Sequence, residues 1–141
     1  MDPSSELALN ALGLNQMNLG RFGEARRSFD RVEQISPLFL TPGFWANRGT
    51  LNYLEGEIEQ AVALWERARS MGSLIASDRI MLAHYYESTG RHEEAQAIVQ
   101  EMLSAHPEMT AQRGVDMLAR WWNEERIPED LEERLRSAGL P

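Results

Sequence analysis

The residues best suited to chemistry in this 141-residue chain are three histidines and the carboxylates near them. His84 and Glu87 stand three positions apart, a spacing that sets two ligands side by side on one helix face. His92 is followed directly by Glu93 and Glu94, and His106 precedes a proline. A bound metal such as zinc needs three or four convergent ligands, and no His-Glu-x-x-His or comparable pair of motifs supplies them. The acids after Gly90 suit a helix N-terminus, where the macrodipole favours negative charge. With no cysteine, a thiolate metal site, a cysteine nucleophile and a disulfide framework are all ruled out. Serine, histidine and aspartate occur, but no Gly-x-Ser-x-Gly elbow, phosphate loop or dinucleotide fingerprint positions them. The expectation is a chain with no metal, no cofactor and no catalytic residues.

Charge and hydropathy narrow the partners. The formal charge is −8, whereas binding a nucleic-acid backbone needs clustered cations. Residues 1–37 carry five acids against four arginines, 38–73 four against three, 74–107 five against two, and 108–141 eight against five. Acidity thus concentrates in the second half, and every basic residue is arginine. No apolar run approaches the ~20 residues that span a bilayer. The first residues lack the basic and apolar regions of a signal peptide. These features lead to the expectation of a cytoplasmic chain that binds neither nucleic acid nor membrane.

The elements that position these residues follow from an internal repeat. Segments starting at Leu7, Trp45 and Ile80 align on a small residue (Gly13, Gly49, Ala83), a turn glycine (Gly20, Gly56, Gly90) and an alanine (Ala25, Ala61, Ala95). Each series steps by 36 and then 34 residues, and a large apolar residue follows each alanine by four: Phe29, Trp65 and Val99. The two additional residues fall in the stretch Pro37 to Gly43, where a loop tolerates length. The small residues allow two helices to approach closely, facing the alanines of the partner helix. The turn glycines suit a left-handed C-cap, and proline stops the second helix at Pro37 and Pro107, with Ser73 in the matching place. The pattern predicts helices near 4–19, 22–35, 42–55, 58–71, 75–89 and 92–105. Two more are expected near 109–125 and 129–138, on either side of Ile127-Pro128.

Over residues 4–107 this pattern resembles the tetratricopeptide repeat. Trp45 and Tyr86 match the family's aromatic positions, while Leu9, Gln16, Asn52 and Arg79 depart from them. The resemblance implies an all-α fold, a right-handed α-solenoid of three helical hairpins (4–37, 38–73, 74–107) closed by capping helices at 108–141, about eight helices in a single domain spanning 1–141. First helices would line a concave groove. In the family's geometry its exposed positions project onto Asn10, Leu14, Met17 and Asn18, then Thr50, Tyr53 and Leu54, then Ser77, Ile80, His84 and Glu87. Apolar anchors mixed with amide and hydroxyl groups suit a protein or peptide partner. The lysine-and-asparagine clamp used by some members for a C-terminal carboxylate has no counterpart here, because lysine is absent.

The two ends add further expectations. Asp2-Pro3 looks like the closing dipeptide of a preceding repeat, which leaves the first helix, with Leu7, Leu9, Leu12 and Leu14, as an uncovered edge. Met117 to Trp122 supplies an apolar face, and Leu131 and Leu135 lie on a following short helix, which together read as a cap covering Leu118, Trp121 and Trp122. The tail also resembles the ends of repeat domains found behind bacterial class III adenylate/guanylate cyclase modules and winged-helix regulators, matched at Arg136, Ala138, Gly139, Leu140 and Pro141. That resemblance implies a non-catalytic peptide-binding scaffold or sensory module belonging to a larger bacterial signalling or regulatory protein. The alternative is a self-assembly module that forms homo-oligomers through the bare first helix or the Trp-rich tail.

Overall fold

The computed structural model describes residues 3–39, 41–72 and 74–141. Met1, Asp2, Leu40 and Ser73 lie outside the described residues, and with them the expectations placed on Asp2-Pro3 and on the proline-equivalent Ser73. Eight α-helices and no strand occur among the described residues. They are α1 (Pro3–Asn18), α2 (Phe22–Ile35), α3 (Pro42–Leu54), α4 (Ile58–Ser70), α5 (Ala76–Ser88), α6 (His92–Ala105), α7 (Ala111–Ala119) and α8 (Leu131–Ser137). Single 3₁₀ turns occupy Pro37–Phe39 and Glu124–Arg126. The chain is all-helical and built from hairpins, since α1 packs on α2, α3 on α4 and α5 on α6.

The turn glycines produce those hairpins. Gly20, Gly56 and Gly90 have φ of 77°, 86° and 80°, a left-handed conformation that side chains with a Cβ rarely adopt. One pair of hydrogen bonds recurs around each. The Gly20, Gly56 and Gly90 amides donate to Met17, Tyr53 and Glu87, and the next residue's amide donates at 2.8 Å to Gln16, Asn52 and Tyr86. These are Schellman caps, which satisfy the last carbonyls of the first helix while turning the chain back. The second helices end by a different device. Proline disfavours helical backbone in the residue before it, and Ser36 and His106 accordingly sit at φ −146° and −134°. Without that proline, α4 runs into Gly72 at φ 79°.

The helices form two compact units, Met1–Leu74 and Ile75–Pro141, divided one residue past the expected boundary between the second and third repeats. In the first unit the core is aromatic. Phe29 and Phe44 are fully buried and meet edge to face, ring centroids 5.9 Å apart, and Trp65 is fully buried on α4. The small residues make room for these rings. A Cβ on Gly13 would lie 2.6 Å from Phe29 Cε1, and one on Gly49 would lie 2.7 Å from Trp65 Cδ1 and 3.2 Å from the Ala61 carbonyl oxygen. The expectation that these glycines face alanines therefore needs refinement, because Gly13 meets Phe29, the ring four residues past Ala25, and Gly49 meets both ring and alanine backbone. The third repeat carries Ala83 where the others have glycine and the smaller Val99 where they have a ring, both fully buried.

In the second unit α7 and α8 pack against each other and both pack on α5. The Thr110 hydroxyl accepts from the Arg113 amide at 3.1 Å and starts α7 at Ala111, later than expected. The Ala111 amide, left over at that helix start, donates to the Pro141 carbonyl oxygen at 2.7 Å. Leu131, Leu135, Ala138 and Leu140 are buried, so the C-terminal segment covers core. Its cover does not extend to Trp121. Trp122 is buried, but Trp121, past the end of α7 at Ala119, is 62% exposed.

Candidate binding surface

Five positions expected on an exposed groove are buried: Met17, Thr50, Leu54, Ile80 and Glu87. Each burial has a cause. Met17 and Leu54 lie in the last turns of α1 and α3, within the hairpin core. The Thr50 hydroxyl donates to the Ala46 carbonyl oxygen at 3.1 Å, one turn back along α3. Ile80 is covered by α7, where a Cβ on Gly114 would lie 3.0 Å from Ile80 Cδ1. Glu87 turns one oxygen to His92 Nδ1 at 2.9 Å. None of the five is available to a ligand in this conformation.

The remaining positions divide by element. Asn10 and Leu14 are half-buried and Asn18 is exposed on α1, while Tyr53 is half-buried on α3. α1 and α3 pack side by side in the first unit, so these four residues share one pair of helices. Tyr53 rests on the buried Trp65 ring, centroids 5.7 Å apart and planes 31° from parallel, which gives it a rigid floor. The Asn10 Oδ1 atom is buried with no hydrogen-bond partner. Ser77 is half-buried on α5.

Ion pairs tie α2 to α3 and to the turn that follows it. Arg48 on α3 reaches Asp30 at 2.9 Å and Glu33 at 3.5 Å on α2. Arg26 on α2 pairs with Glu55 and with Glu57 at 3.5 Å, at the turn between α3 and α4. The Glu55 hydrogen bond raises the Arg26 guanidinium above its ordinary pKa, against the opposing effect of burial. Partly exposed pairs of this kind add little stability, so their role is mainly to fix which helix faces meet.

The histidines do not converge. His84 Nε2 lies 2.8 Å from Asp130 Oδ1, His92 pairs with Glu87, and His106 Nδ1 lies 3.8 Å from Glu108. The expected His84–Glu87 side-by-side pair is split, because each residue takes a different partner. Among the described residues no group of three or more His, Asp or Glu side chains gathers to hold a metal ion. No helix among them is long and apolar enough to cross a membrane.

Sequence reasoning missed Asp130, which lies 46 positions beyond His84 and had only its place at a helix start to mark it. Its Oδ2 accepts from Arg134 Nε at 3.0 Å. The hydrogen bond from His84, then that from Arg134, hold the Asp130 carboxyl below its ordinary pKa. A depressed carboxyl contributes stability above its unfolded pKa and loses it as pH falls through the folded value. Since the side chain is 43% exposed, solvent screening keeps the effect small, within the ~0.2–1 kcal/mol of exposed pairs. Asp130→Asn should melt slightly below wild type at neutral pH, and the difference should close as the pH drops below the ordinary carboxylate range. Parallel melts over that range check it.

Residues 79–108, running from α5 through α6 to just past Pro107, match the family model for the tetratricopeptide repeat. No curated protein and no solved structure matches the chain.

Proposed function

From the premise that this chain carries a tetratricopeptide-repeat domain, we propose that it is a non-catalytic scaffold for a protein or peptide partner, docked on the face shared by α1 and α3. Tetratricopeptide repeats typically bind proteins or peptides. The observation that carries the reading is the set on that face: Tyr53 held on Trp65, beside α1 with the apolar Leu14 and the amides Asn10 and Asn18. A rigid aromatic with a polar tip is the residue type that concentrates interface energy. Met17, Thr50 and Leu54, included in the groove by sequence, are packing residues of the first unit, and Ile80 and Glu87 are packing residues of the second.

In this reading the chain is a sensory or docking segment of a cytoplasmic, bacterial signalling or regulatory protein, as the tail at Arg136–Pro141 suggests. It takes no nucleic acid, in keeping with its −8 charge. Nuclear magnetic resonance with peptides selected on the full chain from a displayed library tests the site. Side-chain amide signals of Asn10 and Asn18 should shift first, and shifts confined to residues 108–141 would move the site to the cap.

A second reading has its own observation. Leu7 and Leu12 on α1 are 58% and 47% exposed, and α1 carries a single charged residue, Glu6, which is itself buried. Two acidic chains could meet along such a neutral apolar helix without repulsion. Light scattering against concentration, with Leu12→Asp as the comparison, separates self-assembly from partner binding.

A further inference from the structure

α8 and α7 pack on α5 and cover positions that the sequence reading placed in an open groove. Of the groove positions on α5, Ile80 is fully buried where α7 crosses it, and His84 is bonded to Asp130 at the start of α8. Leu135 of α8 comes to the same place, because a Cβ on Gly114 would sit 3.6 Å from its Cδ1 and 3.0 Å from Ile80 Cδ1. We infer that the face of α5 and α7 is a helix-binding site filled by the chain's own α8, and that it takes a partner's short amphipathic helix in α8's place. The partner's pattern is the one that α8 displays: an acid for His84, then leucines one and five positions later, as in Asp130, Leu131 and Leu135.

Three observations make α8 a replaceable occupant. It has seven residues, too few to hold a helix in water without the surface beneath it. It hangs from α7 by a joint whose residues 123–126 are exposed, and α5 has its own partner in α6, so α8 can leave without opening that hairpin. Its charge also works against it. Residues 127–141 carry four acids and two arginines, yet they dock on a repeat with five acids and two arginines. A helix that keeps the Asp130 and leucine positions and lacks the other acids meets less repulsion. What it must overcome is the tether, which presents α8 at an effective concentration on the order of millimolar.

This inference rests on the reading of the chain as a docking scaffold but concerns a different face, so the two fail separately. The probe is a fluorescent peptide of residues 127–141 carrying Glu129→Gln, Glu132→Gln and Glu133→Gln, titrated with the full chain. Leu135→Ala in the chain loosens the tethered helix, and its peptide affinity should exceed that of wild type by about tenfold or more. Adding His84→Ala to that chain should then weaken the peptide several-fold. If circular dichroism shows Leu135→Ala unfolded, Asp130→Asn replaces it, with about threefold tighter binding expected. A folded, loosened chain that binds peptide no better than wild type overturns the inference, as does binding that His84→Ala leaves unchanged. Either result leaves the α1 and α3 face, marked by Tyr53, untouched.

Discussion

Replacing Gly49 with leucine should lower the stability of the chain by about 1–3 kcal/mol, toward the upper end of what overpacking costs. The position has no slack. A Cβ alone would lie 2.7 Å from Trp65 Cδ1 and 3.2 Å from the Ala61 carbonyl oxygen, and Trp65 is fully buried with no free side to move into. In a domain of this size that corresponds to a fall in melting temperature of roughly 5–10 °C. The third repeat suggests a compensation, since it pairs Ala83 with Val99 instead of glycine with a ring. Gly49→Ala and Trp65→Val should therefore couple favourably in a double-mutant cycle, by about 1 kcal/mol. Matching melts for Gly49→Leu and wild type would put the α3–α4 contact somewhere else.

Removing residues 127–141 should have the second large effect. Leu131, Leu135 and Leu140 are buried, and burial of a leucine is worth about 1.5–3 kcal/mol. The faces of α5 and α7 on which α8 packs would meet water, and the Ala111 amide would lose its acceptor at Pro141. An apolar patch of this kind promotes association. Trp121 adds nothing to that patch, because it is exposed already. The expected result is a lower melting temperature together with concentration-dependent light scattering. A truncated chain that stays monomeric and melts like the full one would contradict the covering role of α8.

The hairpins were legible in the sequence because their causes are local. A glycine that turns left, a proline that ends a helix and a small residue that admits a ring act within a few positions, and the 36- and 34-residue steps repeat them. The binding surface was legible only by half. Asn10, Leu14, Asn18 and Tyr53 stay open to varying degrees, but nothing near His84 announces that Asp130 returns to it from 46 positions away. Ile80 likewise looks like a groove residue until α7 brings Gly114 against it. Trp121 and Trp122 show the same limit. A helix running to residue 125 would set their directions differently from one that stops at Ala119. What covers a face is long-range information, and a repeat pattern carries none of it.

Tyr53 serves the core as well as the surface: its ring packs on Trp65, so Tyr53→Ala also forfeits an aromatic contact worth about 0.5–1.5 kcal/mol. Binding must be compared at a temperature where circular dichroism shows both chains folded. The most direct test of the docking claim is then the affinity of library-selected peptides for wild type, Tyr53→Ala and Trp121→Ala. A loss of about 2 kcal/mol or more, roughly thirtyfold, is predicted for Tyr53→Ala, with Trp121→Ala unchanged. Equal binding by wild type and Tyr53→Ala, with the loss falling on Trp121→Ala instead, would contradict the assignment of the α1 and α3 face.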